Sequence, residues 1–186
     1  MKNTKIKPIV VINFKTYKQG KDVINLAKAI ESVDKNIIIG VQPSDIYIIK
    51  KNTKLKVYAQ HVDYFDRGRN TGYILPEAVK SAGASGVFLN HSEHKIPLDI
   101  IEKSIERCKA LGLKTLVFAK DTEEAKKVEI FNPDYIAVES PELVSGNISV
   151  SVARPELISD VSDGFDHHIF QENLPMVLHR VFLLPS

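Results

Sequence analysis

Residues 8–15 of this chain read PIVVINFK, an apolar run of strand length that gives way to polar side chains able to do chemistry. The same pattern recurs in GVFLNHSE (86–93) and YIAVES (135–140). The polar side chains that follow the three runs include Asn13, Lys15, His91 and Glu139. In a barrel of parallel strands the catalytic residues come from the carboxyl ends of several different strands. The pattern therefore predicts an α/β fold with a site at one end of a parallel sheet.

Further apolar runs alternate with helical patterns along the chain. Strands are predicted to start near residues 8, 37, 56, 86, 114 and 135, and helices to span 21–33, 45–51, 76–82, 98–111 and 122–130. Such alternation is typical of a parallel sheet built from βα units. Several strands are apolar throughout, as in IVVI and NIIIGV, which indicates that helices cover one face and a core the other.

The spacing of the strands limits how many βα units the chain holds. The predicted strands recur about every 25 residues, so the last strand of an eight-unit barrel would start near residue 183, where no room is left for it. We therefore expect about six βα units over residues 1–163 and an atypical tail over 164–186. A sheet of six or seven strands is also expected to leave unpaired edges.

Composition argues for an ordinary globular protein. The chain is 44% hydrophobic and 26% charged with a formal charge of +2, and its densest basic cluster, at 50–56, lacks the interleaved aromatic residues that stack on bases. We therefore expect no nucleic-acid partner. No apolar run has the length of a signal-peptide core or a membrane span, so we expect no membrane association and a cytoplasmic location. The single cysteine, Cys108, lies on an apolar helical stripe and is expected in the core.

The candidate site combines an amide, a cation, an imidazole and a carboxylate. Each of these side chains alone is as well explained by a surface or turn residue, but their shared position after parallel strands favours a common cleft. We expect no metal ion. The adjacent His167 and His168 would point to opposite faces of a strand, and no carboxylate cluster frames them.

Five segments resemble triosephosphate isomerase, specifically its shorter archaeal type. They are VINFKTY (11–17), AQHVD (59–63), TGYILPEAVKSAG (71–83), FLNHSEH (88–94) and IAVESPEL (136–143). The resemblance covers about residues 6 to 160 and implies a (β/α)₈ TIM-barrel fold, here incomplete. It also implies the family's reaction, the interconversion of dihydroxyacetone phosphate and D-glyceraldehyde 3-phosphate, with a triose phosphate as substrate and no cofactor.

The resemblance also implies a role for each site residue. Glu139 would be the base that moves the proton between the two carbons, and His91 the neutral electrophile at the substrate oxygens. Lys15 would supply positive charge for the phosphate and the oxyanion, and Asn13 would position the substrate. Glu93, in the NHSE motif, is expected to orient its neighbours.

The segment 139–149, ESPELVSGNIS, matches the closing lid of the family. In this lid Val144 and Ser145 would offer backbone N–H groups to the phosphate. The sequence departs from the family at Ser140, which replaces the usual proline, and at 145–147, where Ser-Gly-Asn replaces a Gly-Thr-Gly hinge.

The C-terminal region departs further from the family pattern. The two Gly-rich phosphate-binding turns of the family are not found, and each lost charge-assisted hydrogen bond is worth about 1.5 to 3 kcal/mol. We therefore expect weak activity, and the abrupt loss of resemblance near residue 160 suggests a frame shift or premature end in the gene.

The loop over 62–73 matches the family's intersubunit loop, so the resemblance implies a homo-oligomer, either a dimer or a tetramer. The alternative function is a non-catalytic truncated remnant that acts at most by binding subunits. A barrel isomerase of tryptophan or histidine synthesis is disfavoured, because NFK, NHSE and a lid that starts with glutamate do not belong to those families.

Overall fold

The computed structural model of the protein describes residues 9–138, 168–173 and 179–184. Within 9–138, parallel strands alternate with helices. The strands are β1 (Ile9–Asn13), β2 (Ile38–Val41), β3 (Lys56–Ala59), β4 (Gly86–Leu89), β5 (Lys114–Ala119) and β6 (Tyr135–Val138). The helices are α1 (Lys21–Val33), α2 (Ile46–Asn52), α3 (Pro76–Ser81), α4 (Leu98–Ala110) and α5 (Thr122–Glu129), and a 3₁₀ turn (Pro43–Asp45) precedes α2. The predicted α/β fold with six parallel strands is confirmed.

The helices begin and end where local chemistry favours it. Asp121 caps α5 by accepting a hydrogen bond from the backbone N–H of Glu124 at 2.7 Å, which satisfies one of the free donors of the first turn. Pro76 occupies the first turn of α3, where its missing N–H costs nothing. Gly112 follows α4 with a φ of 68°, a left-handed conformation that glycine adopts without steric cost.

Two apolar cores lie on opposite faces of the strands, since adjacent side chains on a strand point to opposite sides. The interior of the barrel is filled by Val11, Ile38, Tyr58, Phe88, Leu116, Phe118 and Ala137. Their sequence neighbours, such as Ile12, Ile39 and Val117, belong to the larger core. This layering explains why the strands are apolar throughout. Cys108 is fully buried in the larger core, as predicted, and burial raises the pKa of its thiol to about 12.

Two further strands, β7 (His168–Asn173) and β8 (His179–Leu184), come from the tail. They pair with each other as an antiparallel hairpin. β7 also pairs in parallel with β6, through Val138 and Phe170, and β8 pairs antiparallel with β1, where Val10 lies opposite Phe182. The described strands thus form a closed barrel in the order β1 to β8.

The expectation of unpaired edges is therefore wrong, and so is the statement that an eighth strand has no room. Both rested on the length of a βα unit. A parallel strand needs a long crossover connection, whereas an antiparallel strand needs only a short turn. Only five residues, 174–178, separate the two strands, so the hairpin fits the remaining gap in the sheet.

Candidate active site

The carboxyl ends of β1, β3 and β4 bring polar side chains from three parts of the chain around one cavity of ≈ 230 Å³. Its lining includes Asn13, Lys15, Gln60, His61, His91 and Glu93. Asn13 ends β1, and His91 follows β4 by two residues; both are buried, with exposures of 7%. The structure thus brings together three predicted site residues, Asn13, Lys15 and His91.

A backbone contact fixes the tautomer of His91. Its Nδ1 accepts a hydrogen bond from the backbone N–H of Glu93 at 3.2 Å, so the proton of a neutral ring resides on Nε2. The edge of the ring packs against Phe118, with centroids 4.8 Å apart. His91 therefore presents an N–H donor from a fixed position.

The side chain of Asn13 presents a second donor at the same place. Its Oδ1 accepts hydrogen bonds from the backbone N–H of Lys15 at 2.9 Å and from Nε2 of Gln60 at 3.1 Å. These bonds orient the amide so that Nδ2 lies 3.3 Å from Nε2 of His91. Two N–H donors then meet where an oxygen of a ligand could accept from both, which is the arrangement required to stabilise a developing oxyanion.

Lys15 has an unusual backbone conformation. Its φ is 48°, a left-handed value that costs a side-chain-bearing residue roughly 1 to 3 kcal/mol and is often found at functional sites. The conformation is held at both ends of the residue, since Lys15 N–H donates to Asn13 and Lys15 C=O accepts from Nε2 of Gln60 at 2.9 Å. Its ammonium group contacts Oε1 of Glu93 at 2.7 Å, which agrees with the orienting role expected of Glu93.

Gln60 directly follows β3. No role for it is predicted from the sequence, yet its side chain donates hydrogen bonds to two predicted site residues, Asn13 and Lys15. Its Nε2 also lies 3.3 Å from the carbonyl oxygen of Gly40 on β2. The signal that could have found it is the same as for Asn13: an apolar run, KVYA, followed at once by an amide.

Two more histidines extend one side of the cavity. The rings of His61 and His94 lie 4.3 Å apart, and Nε2 of His61 lies 3.4 Å from Oδ1 of Asp63. Burial and the neighbouring His94 lower the pKa of His61, and the Asp63 carboxylate opposes them. Within the described residues, no group of three or more His, Cys, Asp or Glu is placed to hold a metal ion.

The remaining predicted residues, Glu139, Val144 and Ser145, lie outside the described residues, as do the lid departures at Ser140 and 145–147. β6 ends at Val138, one residue before Glu139, and runs parallel to β5.

Beside His91, the hydroxyl of Ser92 is buried and has no hydrogen-bond partner among the described residues. A buried polar group of this kind is uncommon and often marks a ligand or catalytic contact.

A larger cavity of ≈ 420 Å³ opens at the opposite end of the barrel, among the first residues of the strands. Ile38, Lys56, Lys114 and Tyr135 contribute to its lining. It is remote from the convergent donors at the carboxyl ends of the strands. The smaller cavity is therefore the candidate active site, because position and chemistry agree there.

The fold and the site define the class of the protein: a barrel enzyme of α/β type with neutral and charged donors at the carboxyl ends of its strands. The family model for triosephosphate isomerase matches residues 8–172. The chain belongs to the triosephosphate isomerase family.

Named relatives agree with this assignment. The chain is 40% identical over 178 residues to triosephosphate isomerase of Methanobacterium bryantii, covering 92% of this chain and 78% of the relative. It is 44% identical over 156 residues to that of Methanocaldococcus jannaschii, covering 81% and 71%. Both relatives are archaeal, in keeping with the resemblance to the archaeal type.

A solved structure shows the same fold. The crystal structure of triosephosphate isomerase from Bartonella henselae matches with a TM-score of 0.68 at 22% identity, covering 85% of this chain and 73% of that one.

Within the described part of the chain, no helix is long and apolar enough to cross a membrane.

Proposed function

We propose that this chain interconverts dihydroxyacetone phosphate and D-glyceraldehyde 3-phosphate, and that it does so in the cytoplasm as part of glycolysis and gluconeogenesis. In this proposal Glu139 is the base, His91 the electrophile and Asn13 the positioning amide. Lys15 binds the phosphate and the developing oxyanion. No metal or cofactor takes part.

The observation that carries the proposal is the meeting of two donors. Nδ2 of Asn13 and Nε2 of His91 lie 3.3 Å apart, and each is oriented by hydrogen bonds to its other atoms. An enediolate carries its negative charge on oxygens of adjacent carbons, so donors aimed at one point stabilise it more than the neutral ketone. Because the donors are already oriented, little reorganisation is needed during the reaction.

The proton transfer requires a base on the other side of the substrate carbon. β6 runs parallel to β5 and ends at Val138, which directs the chain toward the same end of the barrel as Asn13 and His91. Glu139 is the next residue and would remove the proton from the carbon beside the carbonyl. It would then return that proton to the neighbouring carbon, while the hydroxyl proton passes from the oxygen of the first carbon to the former carbonyl oxygen, so that no atom is gained or lost.

The substrate's phosphate needs positive charge and N–H donors. The Lys15 side chain is 10% exposed, and its ammonium group already binds the carboxylate of Glu93. A dianionic phosphate would compete for this cation. The backbone N–H groups of Val144 and Ser145 would add donors when the lid closes, and such a lid also excludes water from the intermediate.

A coupled isomerase assay on the purified chain tests the proposal. Glu139→Ala is expected to lower kcat by about 10² to 10⁴, the range supplied by a positioned base. Glu102→Ala, which removes an exposed carboxylate from α4, is the matched control and is expected to leave kcat unchanged. If the unmodified chain shows no turnover above the Glu139→Ala variant, the isomerase proposal fails and the remnant that only binds subunits is favoured.

We further propose that the chain forms a homo-oligomer, a dimer or a tetramer, through the loop over 62–73. The loop is closed by the backbone N–H of Ile74, which donates to Oδ2 of Asp63 at 2.7 Å. Phe65 packs against Tyr64 and Tyr73, and the Tyr73 side chain is 54% exposed. An ordered loop with an exposed aromatic side chain suits insertion into a neighbouring subunit.

Sedimentation velocity tests the assembly. Tyr73→Ser is expected to shift the chain toward monomer. Tyr47→Ser removes a tyrosine of similar exposure, 55%, from α2 and is expected to leave the oligomer intact. Identical sedimentation of both variants and the parent would contradict the proposed interface.

A further inference from the structure

The loop that carries His91 is tied by hydrogen bonds to β5 and α5. Asn90 has a φ of 59° and an exposure of 1%. Its Nδ2 donates to the carbonyl oxygen of Phe118 at 2.8 Å and to Oε1 of Glu124 at 3.1 Å, and its Oδ1 accepts from the backbone N–H of Ile96 at 3.1 Å. The side chain thus joins the start of the loop, its far end and the neighbouring βα unit.

Glu124, in the first turn of α5, is the other centre of this network. Its Oε1 also accepts from the ammonium group of Lys95 at 2.6 Å, and its Oε2 accepts from the backbone N–H of Lys120 at 2.6 Å. Burial opposes ionisation, but the hydrogen bonds from Lys95, Lys120 and Asn90 outweigh it and lower the pKa of Glu124. The carboxylate is therefore charged, and its charge strengthens each of these bonds.

The hydrogen bonds that Asn90 and Lys95 donate to Glu124 hold the chain on both sides of His91. Asn90 precedes His91 and Lys95 follows it by four residues, and both bind the same oxygen of Glu124. Phe118, whose carbonyl accepts from Asn90, packs its ring against His91 at 4.8 Å. Any shift of Asn90 relative to β5 therefore moves the imidazole relative to the Phe118 ring on one side and the Asn13 amide on the other.

We propose that Glu124 and Asn90 are positioning residues for His91, acting through the ends of its loop and not by contact with the substrate. Neither residue lines the cavity that holds Asn13 and His91. The kinetic test of this inference rests on the proposed function, in which His91 is the electrophile.

Kinetics of paired glutamate variants test the proposal. Glu124→Ala is expected to lower kcat by about tenfold to a hundredfold, since a displacement of about 1 Å can cost that much, with KM within about twofold of the parent. Glu124→Gln has a single acceptor oxygen, which can serve either Asn90 and Lys95 or the Lys120 N–H. It is therefore expected to recover only part of kcat. Glu123→Ala removes the neighbouring carboxylate and serves as the control, because the Glu123 side chain is 78% exposed and pairs with Lys127 on the same helix.

Nitrogen NMR of the His91 ring gives a readout that does not need turnover. In the parent, Nδ1 is expected to show the shift of a hydrogen-bonded acceptor and Nε2 that of a protonated nitrogen. Glu124→Ala should alter both shifts, and Glu123→Ala should not. This measurement separates the two proposals: an inactive parent with the expected shifts and variant effect would reject the isomerase activity and support the positioning network.

Asn90→Gly provides a second route if Glu124→Ala fails to fold. Glycine accepts a φ of 59° without strain but lacks the amide, so the backbone is preserved and only the tethers are removed. The variant is expected to show the same loss of kcat and the same change at His91. If Glu124→Ala and Asn90→Gly both match Glu123→Ala in kcat and in the His91 shifts, the positioning role is overturned.

Discussion

One methyl group added at Gly40 is expected to disrupt the barrel interior through a single neighbour, Phe88. Gly40 lies on β2, and a Cβ built there would approach ring carbons of Phe88 at 1.9, 2.4 and 2.9 Å. Carbon atoms in contact prefer about 3.5 to 4.0 Å, so the ring would have to move by roughly 1.5 to 2 Å. Phe88 is 1% exposed and packs against Tyr58 and Phe118, with ring centroids 6.0 and 5.3 Å away, which restrict that movement.

The expected cost follows from this restriction. Overpacking of a well-filled core typically costs about 1 to 3 kcal/mol, and we expect Gly40→Ala to lie near the upper end. Phe88→Ala alone should cost about 3 to 5 kcal/mol through the cavity it leaves. In the double variant the new methyl group meets empty space instead of a ring, so Gly40→Ala should add about 0 kcal/mol or slightly stabilise. The two changes are then coupled by about 2 to 3 kcal/mol.

Unfolding in guanidinium chloride measures all four members of the cycle. Gly68→Ala is the matched control, because the nearest atom to its added Cβ, Nδ2 of Asn70, is 4.0 Å away. The control should change the free energy of unfolding by less than about 0.5 kcal/mol. Additive losses in the Gly40 and Phe88 cycle, to within about 0.5 kcal/mol, would show that Phe88 is not the group that the methyl group meets and would refute the steric argument.

Three further outcomes are expected. Gln60→Ala removes the amide that fixes the end of β1 and should lower kcat/KM by about tenfold in the isomerase assay, since each lost polar contact costs about 1 to 3 kcal/mol; unchanged kcat/KM would contradict this. Burial and His94 lower the pKa of His61 despite Asp63, so the unfolded chain binds this proton more readily and stability should fall as pH drops from about 6.5 through the folded-state pKa. Denaturant titrations should show that slope reduced in His61→Asn. The Cys108 thiol, with its pKa raised to about 12, should resist a thiol reagent at about pH 8 until the chain is unfolded.

The strands and helices could be predicted because each is specified locally. β3, β4, β5 and β6 begin at the predicted residues, and α1 spans Lys21–Val33 as predicted. The pairing of the tail could not be predicted in this way. Whether 168–173 lies beside β6 depends on a gap in the sheet, and that gap exists only once six strands have curved into a barrel. The periodicity of the sequence gives only the spacing of strands along the chain, so it does not show that a sheet edge is free to pair.

The candidate site was predictable to a similar extent. Asn13, Lys15 and His91 share one recognisable pattern, a polar group at the end of a buried strand or two residues beyond it, and they lie around one cavity. Gln60 follows the same pattern but acts through its partners, so its importance appears only in its distances to Asn13 and Lys15. Glu124 shows no such pattern. It lies on a helix where glutamate is common, and what distinguishes it from Glu123 is its set of contacts in the folded chain, such as the one with Asn90 across 34 residues.

The direction of β8 bears on how the barrel can hold a phosphate. In an all-parallel barrel the carboxyl end of every strand faces the site and leads into a loop there. β8 runs antiparallel to β1 and β7, so His179, paired with Asn173, lies at the site end and Leu184, paired with His168, at the other. The carboxyl end of β8 therefore lies at the end of the barrel opposite the site. Under the proposed function the phosphate would depend more heavily on Lys15 and on the lid donors than it does when the last strands are parallel, because fewer strand ends are available to bind it.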